Sequence, residues 1–301
     1  MPGSGPVSVE LASGGRVPVV YRATAGSARY YLRLAEEPGQ NLATDALVLD
    51  RLRSLGVRVP AVVAASAAGA AFPGSWLIMT EIPGRSIARG GTDDDVRQAA
   101  LAAGRDVAVI NSLPVAGFGW LNRDGAEQLT AELPRYAQFV VSDLPNPWPG
   151  GLHGLFNARQ LAAMHALVEA EQDRSPGAGH LAHGDLDVTH IYSDAGRYSG
   201  IIDFGEMRGA DPYFDLGHFL LHDAETRPAW LFRSFLEGYQ QVEALPDDHC
   251  DAIRTAAILL GLRQLSRWLA PDRAYPLNHW LVQRRVAELS NLIDGKLAHP
   301  R

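Results

Sequence analysis

Two short segments in the second half of the chain contain carboxylate and histidine side chains that can act as a base or bind a metal. His183, Gly184 and Asp185 form the first, and His190 follows five residues after the aspartate. The second begins at Asp203, which opens an Asp-Phe-Gly triplet at the end of a predicted hairpin. A carboxylate at position 185 can orient and deprotonate a hydroxyl, while side chains at 190 and 203 can hold a metal that bridges phosphates. The pattern therefore favours phosphoryl transfer.

This spacing resembles that of protein kinases, in which an aspartate takes the acceptor proton and Asp-Phe-Gly supplies a magnesium ligand. The segment Asp211–Leu216 follows as Asp-Pro-x-x-Asp-Leu, so the chain resembles more specifically the aminoglycoside phosphotransferases and their choline-kinase-like relatives. The resemblance implies that Asp185 is the catalytic base and that Asp215 supports its loop. It also implies that His190 and Asp203 bind Mg²⁺.

Position 190 departs from the family pattern, because most members carry asparagine there. A neutral imidazole can ligate a divalent metal, although Mg²⁺ prefers oxygen. A zinc site of His180, His183 and His190 is an alternative interpretation. It is less favoured, since the spacing is loose for a known zinc motif and no pair of cysteines accompanies it. A His-Gly-Asp triplet alone is weak evidence, and the two later motifs give it its weight.

The first 82 residues are predicted to form mostly sheet. Alternating apolar residues and glycine turns predict three antiparallel strands, then one helix and two more strands. The predicted strands are Val7–Leu11, Val17–Arg22, Tyr30–Leu34, Val57–Ala64 and Ser75–Ile82, and the helix is Asn41–Leu55.

Beyond the Pro83-Gly84 break, helices dominate the pattern. The predicted helices are Asp93–Asn111, Asn157–Gln172, Ala229–Val242, His249–Ala270 and Leu277–Leu297. Pro134–Gly154, rich in proline and glycine, predicts a long surface loop. Sheet followed by helices is an α+β arrangement. Together with the resemblance it implies a two-lobed protein-kinase-like fold, with a nucleotide-binding lobe and hinge at 1–82 and a catalytic and substrate-binding lobe at 83–301.

Four residues of the first lobe acquire a role from the resemblance. Gly14 and Gly15 lie where the family's loop covers the nucleotide phosphates. Arg33 stands where kinases place a phosphate-binding lysine, and the chain contains one lysine in total. Asp45 takes the place of the glutamate that pairs with that lysine. Without the resemblance, the glycines predict an ordinary turn and Arg33 with Asp45 a surface ion pair.

The segment Ile78–Gly84 resembles the strand-to-hinge segment whose backbone binds the nucleotide base. By position, the carbonyl of Thr80 and the amide of Ile82 are the expected contacts with the base. Both ATP and GTP stay open as the phosphoryl donor.

Composition restricts the class of partner. The chain has 301 residues and a net charge of −7, which argues against a nucleic-acid binder because such proteins concentrate Lys and Arg. No apolar run reaches the roughly 18 residues of a membrane helix, and the start does not resemble a secretory signal. Because one cysteine allows no internal disulfide, we expect a cytoplasmic protein. The oligomeric state is left open.

The resemblance implies transfer of a nucleotide γ-phosphoryl group to a hydroxyl of a small molecule. An antibiotic of aminoglycoside or macrolide type is the first acceptor class, since some antibiotic kinases of similar sequence carry histidine at the position of His190. A polycationic acceptor needs acidic residues, and the chain offers Asp143, Asp223, Glu225, Glu237 and Glu243. A housekeeping metabolite kinase and a non-catalytic pseudokinase are the alternatives. Retention of Asp185 and Asp203 argues against the pseudokinase.

Overall fold

The structure is a computed structural model of the chain. It describes residues 7–12, 20–35, 40–67, 74–144, 148, 152–223, 227–270 and 275–295.

The N-terminal part is one antiparallel sheet packed against a single helix. The strands are β1 (Val7–Leu11), β2 (Val20–Ala25), β3 (Ala28–Leu34), β4 (Val62–Ser66) and β5 (Trp76–Thr80), and the helix is α1 (Ala43–Ser54). Their order in the sheet is β1-β2-β3-β5-β4. Val48, Leu49 and Leu52 of α1 are buried. Because they recur every three or four residues, one face of α1 covers β4 and β5.

Helices make up most of the remainder, with short strands between them. The helices are α2 (Asp93–Asn111), α3 (Tyr136–Val141), α4 (Ala158–Asp173), α5 (Phe214–Asp223), α6 (Ala229–Gln240), α7 (His249–Leu269) and α8 (Trp280–Ile293). The strands are β6 (Arg85–Ser86), β7 (Pro114–Val115), β8 (Phe118–Leu121), β9 (Ala131–Leu133), β10 (Gly179–Ala182), β11 (Ile191–Asp194), β12 (Arg197–Ile201) and β13 (Arg208–Ala210). Two small sheets result, with strand orders β7-β10-β13-β8-β9 and β12-β11-β6.

A close helix pair forms one part of the C-terminal core. A Cβ at Gly104 of α2 would lie 2.0 Å from the carbonyl oxygen of Phe235, and one at Gly238 of α6 would lie 1.9 Å from that of Leu101. The two backbones therefore touch, and only glycine leaves room for this approach. Helix α2 of this pair also packs against β10 and β11, the strands that flank the loop on which the predicted catalytic residues lie.

The predicted α+β, kinase-like fold is confirmed, with differences in detail. The predicted loop at Pro134–Gly154 is wrong in part, because α3 lies within it. Sequence reasoning also missed α5. Every residue from Phe214 to Leu221 is buried, so this helix is enclosed on all sides and lacks the amphipathic period that reveals a surface helix.

The division of the chain at residue 82 agrees with the sheet pairing. The first sheet ends at Thr80, and β6 already pairs with β11 of the C-terminal part. We keep this boundary as a proposal. Among the described residues, no helix combines the length and apolarity that crossing a membrane requires.

Candidate active site

The loop between β10 and β11 holds His183, Gly184 and Asp185 in one shape. His183 is fully buried; its Nε2 donates to the carbonyl of Ile202 at 2.9 Å, and its Nδ1 accepts from the amide of Asp185 at 3.3 Å. Gly184 has a φ of +92°, and a Cβ there would lie 1.8 Å from the carbonyl oxygen of Glu206. Glycine is therefore required at this position. The side chain of Asp185, by contrast, is 45% exposed.

Asp215, in the first turn of α5, braces this loop from below. One carboxylate oxygen accepts from the amide of His183 and from the side chain of Asn111, both at 2.9 Å, and the other accepts from the amide of Gly184 at 3.0 Å. Asp215 is fully buried, and three N–H donors offset the desolvation of its charge. Through these contacts Asp215 holds the backbone of the loop in place, which is the role that the resemblance implied for it.

The side chain of Asp185 also has a partner on α5, His218, which the sequence analysis did not predict. Its Oδ1 lies 3.3 Å from Nε2 of His218, whose side chain is 3% exposed. Nδ1 of His218 lies 2.8 Å from the carbonyl oxygen of Leu186. Both ring nitrogens thus face oxygens that only accept hydrogen bonds, so satisfying both requires a proton on each nitrogen. His218 is therefore an imidazolium paired with the Asp185 carboxylate.

This pairing shifts both pKa values. Burial by itself raises the pKa of Asp185, but the hydrogen bond and charge of His218 outweigh it and hold that pKa well below its usual range. Burial lowers the pKa of His218, yet the bond to Asp185 prevails and raises it. The ring of His222 stacks on His218 at 4.2 Å. Burial first, and the charge of His218 next, lower the pKa of His222 to about 2, so this second ring is neutral.

His190 and Asp203 face each other at the base of the β11–β12 hairpin. Nδ1 of His190 lies 2.6 Å from the carbonyl oxygen of Asp185 and donates to it, so in the neutral form of the ring the lone pair is on Nε2. Nε2 is 3.7 Å from Oδ2 of Asp203. Asp203 adopts a left-handed φ of +67°, a conformation that is uncommon outside glycine and clusters at functional sites. Two donors this close can share one divalent ion.

The number of donors favours magnesium over zinc, although an imidazole nitrogen is not the oxygen ligand that Mg²⁺ prefers. Mg²⁺ keeps several waters and is bound through one or two carboxylates and the phosphate oxygens of a substrate, whereas zinc takes three or four protein ligands. Within the described ranges no group of three or more His, Cys, Asp or Glu side chains converges on a metal position. Nδ1 of His180 instead bonds the carbonyl oxygen of Asn111 at 2.9 Å. The three-histidine zinc alternative therefore does not assemble.

Arg33 and Asp45 form a buried ion pair, which excludes the surface-pair interpretation. Nη1 of Arg33 lies 3.1 Å from Oδ1 of Asp45, and the two side chains are 8% and 1% exposed. Arg123, between β8 and β9, joins them with its Nε 2.8 Å from the other Asp45 oxygen. Its Nη2 donates to the carbonyl of Gly205 at 2.7 Å. Arg33 and Arg123 thus share Asp45 near Asp203, where guanidinium groups would stabilise anionic phosphates.

Thr80 and Ile82, two of the remaining predicted nucleotide contacts, lie at the hinge. Thr80 ends β5, and its hydroxyl accepts a hydrogen bond from the amide of Ala61 at 3.0 Å. Ile82 is buried. Gly14 and Gly15 lie outside the described residues.

A cavity of about 140 Å³ opens beside Asp185. Side chains with formal charge line most of it, among them Asp143, Glu206, Arg208, His218, Arg263 and Arg267. Its volume is below the roughly 300–1,000 Å³ of sites for drug-sized ligands. The hydroxyl of a small acceptor in this cavity would lie next to the Asp185 carboxylate.

Few of the acids that the sequence offered for a polycationic acceptor line this cavity. Asp143 is in the lining, whereas Glu237 and Glu243 are not. The side chain of Asp223 and the whole of Glu225 lie outside the described part of the chain. Among the described residues, Asp143 is thus the one of the five acids offered by the sequence that lines the cavity, and Glu132 and Glu206, which the sequence analysis did not single out, line it as well.

Several solved structures have the same fold. A thermostable mutant of aminoglycoside phosphotransferase APH(4)-Ia, in a ternary complex with ADP and hygromycin B, matches with a TM-score of 0.69 and 15% identity over 97% of this chain and 95% of that chain. Amicoumacin kinase hAmiN, in complex with AMP-PNP, Ca²⁺ and Ami, matches at 0.64 and 16%, covering 96% and 89%. Macrolide 2'-phosphotransferase MphH from Brachybacterium faecium matches at 0.59 and 17%, covering 95% and 92%.

Sequence comparison identifies the family. No curated protein sequence matches the chain. The model of the phosphotransferase enzyme family, APH, matches residues 8–253, a range that includes the first sheet, the catalytic loop and α5. On this match, the chain is a member of the APH phosphotransferase family.

Proposed function

We propose that this protein transfers the γ-phosphoryl group of ATP or GTP to a hydroxyl of a small molecule. Asp185 orients the acceptor hydroxyl and receives its proton. His190 and Asp203 hold Mg²⁺, which would neutralise charge on the phosphates. Arg33, fixed by Asp45, contacts phosphate oxygens.

The observation that carries this proposal is the position of Asp185. Its carboxylate is half-exposed at a cavity, while its own carbonyl orients His190 toward Asp203. One residue thus connects the acceptor side with the metal side. A base that shares its loop with one proposed metal ligand, His190, which lies close to the other, Asp203, favours an enzyme over the pseudokinase alternative, since a protein that only binds nucleotide has no need for a positioned base.

The rest of the nucleotide site follows the family resemblance. We propose that the carbonyl of Thr80 and the amide of Ile82 bind the base and that Gly14 and Gly15 cover the phosphates. The requirement for a nucleotide also favours a cytoplasmic location, where ATP and GTP are supplied.

The acceptor is an antibiotic or a metabolite. Hygromycin B, a macrolide and amicoumacin are the antibiotic candidates, because proteins of this fold are named for them or bind them. The alternative, a metabolite kinase, gains weight from the cavity. Its described lining balances four carboxylates against three arginines and His218, so it lacks the acidic excess that a polycationic antibiotic would need.

The experiment compares wild type with Asp185→Asn, which removes the base and keeps its shape. Mg²⁺ with ATP or GTP is tested against hygromycin B, a macrolide, amicoumacin and amino alcohols, and acceptor phosphorylation is followed by mass spectrometry. We expect the variant to bind nucleotide normally and to lose about 10²–10⁴-fold in kcat. Asp94→Asn, at an exposed position, is the control. Equal turnover in wild type and Asp185→Asn, or no nucleotide binding by wild type, contradicts the proposal.

A further inference from the structure

Arg263, on α7, places a cation on the floor of the cavity beside Asp185. It is 6% exposed. Its Nη2 donates to the carbonyl of Phe139, its Nε lies 3.3 Å from that of Ser142, and the guanidinium packs over the Phe139 ring at 4.1 Å. No carboxylate of the described residues pairs with it, and its Nη1 makes no hydrogen bond within those ranges. Burial and the charge of Arg208 lower the pKa of Arg263 to about 10, which leaves it charged at neutral pH.

Arg208, on β13, adds a second buried cation to the same cavity. It is 8% exposed and lies flat over the Trp120 ring at 3.7 Å. Its Nη2 pairs with Glu206 at 2.8 Å. Its Nε is buried and makes no hydrogen bond to any of the residues described. Burial, opposed by Glu206 and aided by the charge of Arg267, lowers the pKa of Arg208.

These contacts leave the arginines incompletely neutralised. Carbonyl oxygens at the end of α3 accept hydrogen bonds from Nε and Nη2 of Arg263, but its Nη1 has no such acceptor among the described residues. Arg208 has one carboxylate partner, and the exposed Arg267 lines the same cavity. Buried like charges destabilise one another, and the buried Nε of Arg208, which makes no hydrogen bond to the described residues, adds to the cost in free energy. Glu132 and Asp143, the acids of the lining besides Asp185 and Glu206, are both exposed, so water screens their charges. An anion in the cavity would satisfy the cluster.

We propose that the acceptor carries an anionic group such as a carboxylate, which Arg263, Arg208 and Arg267 bind while its hydroxyl lies at Asp185. This inference rests on the proposed function, because it assumes that the cavity holds the phosphoryl acceptor. Planar guanidinium groups bind carboxylates bidentately, and aromatic faces behind them keep their orientation. A polycationic aminoglycoside has the wrong sign of charge for this cluster. The inference therefore favours an acidic hydroxyl compound.

Three sugars of one ring and different charge test the inference: glucuronate, glucose and glucosamine. The cavity volume suits probes of about one ring. Binding of each is measured by calorimetry in the presence of Mg²⁺ and AMP-PNP, and phosphoryl transfer is measured separately with ATP. The variants are Arg263→Met in the buried cluster and Arg267→Met, whose exposed position keeps the fold safe. Arg233→Met, at an exposed position on α6, is the matched control.

Glucuronate is expected to bind more tightly than glucose and glucosamine. Removing one partner of a desolvated charge pair should weaken its binding roughly 30-fold in Arg263→Met, less in Arg267→Met and not at all in Arg233→Met. Glucose binding should change little in any variant. Absence of a preference for glucuronate, whether all three sugars bind or none does, overturns the inference. So does a preference that persists in both cluster variants.

The two proposals fail separately. Transfer to neutral or cationic acceptors that depends on Asp185, without an arginine-dependent preference for anions, would keep the kinase and overturn the anionic acceptor. Arginine-dependent glucuronate binding without transfer to any acceptor would support the anion site and count against the kinase.

Discussion

The carboxylate of Asp185 cannot be considered apart from the imidazolium of His218. Because both nitrogens of His218 are used, its ring fixes one oxygen of Asp185 and leaves the other for an acceptor hydroxyl. The same pairing makes Asp185 a weak base, so its main contribution would be to orient the hydroxyl while the phosphate leaves the nucleotide. His218 is thus a positioning residue.

Replacing His218 with glutamine tests this role. Glutamine keeps one donor and loses the positive charge, so kcat should fall about 10–100-fold, the range that corresponds to losing a charged hydrogen bond. The Kd for Mg²⁺-nucleotide should not change, because His218 lies on the acceptor side. Steady-state kinetics and nucleotide titration provide the two values. His165→Gln, at a half-exposed position on α4, is the control. A parallel change of kcat and nucleotide Kd would indicate a general structural defect instead.

The low pKa of His222 predicts that the stability of the protein depends on pH. Its pKa is about 2 in the folded protein and 6.5 ordinarily, so below pH 6.5 the unfolded chain binds a proton that the folded chain does not. Stability from this group is complete above pH 6.5 and is lost as the pH falls. Between pH 7 and pH 5 the loss is about 2 kcal/mol. His222→Gln should remove that part of the pH dependence, as measured by urea unfolding at both values. An unchanged slope would contradict the prediction.

At the scale of elements, α5 organises the catalytic loop. Asp215, His218 and His222 are three and seven residues apart, so they lie along one face of the helix. That face meets the loop after β10: Asp215 binds its backbone, and His218 binds the side chain of Asp185. Burial of every residue from Phe214 to Leu221 restricts the movement of this face.

Asp215→Asn should destabilise the whole domain. The amide group would place an N–H opposite backbone or Asn111 donors, leaving buried polar groups unpaired. We expect the free energy of unfolding to fall by about 3 kcal/mol, with a loss of kcat as the loop relaxes. Chemical denaturation measures the first effect. Asp251→Asn, at an exposed position on α7, should change neither quantity. Equal stability of the two variants would show that the loop does not depend on Asp215.

At the scale of the whole molecule, the two lobes are joined through a buried charge network. Arg123 comes from the helical part, Asp45 and Arg33 come from the first lobe, and Gly205 stands two residues after Asp203, the proposed metal ligand. The orientation of the lobes and the position of the phosphate site are thus coupled.

Arg123→Met should raise the KM for nucleotide about tenfold, because it removes one charged contact to Asp45 and one to the Gly205 carbonyl. Arg51→Met is a close control. Arg51 of α1 also reaches across to the β8–β9 connection, where it donates to the carbonyl of Glu127 at 2.6 Å, but it does not touch the phosphate site. Similar KM values for the two variants would mean that lobe contact in general, rather than this network, supports nucleotide binding.

The spacing of the motif residues along the chain already predicted the reaction class. The order of strand and helix patterns predicted the α+β fold. Asp185, His190 and Asp203 lie on one short loop and hairpin, where sequence spacing translates almost directly into distance. Strand alternation and helix caps act over a few residues, so most elements were predicted within a few positions.

Only the tertiary structure decided which distant residues meet these groups. His218 stands three residues after Asp215, but nothing in the sequence indicates that its ring contacts Asp185. Arg123 reaches Asp45 across 78 positions, and Arg263 reaches the acceptor cavity from α7. Such contacts depend on how buried elements pack, and a helix like α5 that is enclosed on every side leaves no periodic pattern to reveal that packing.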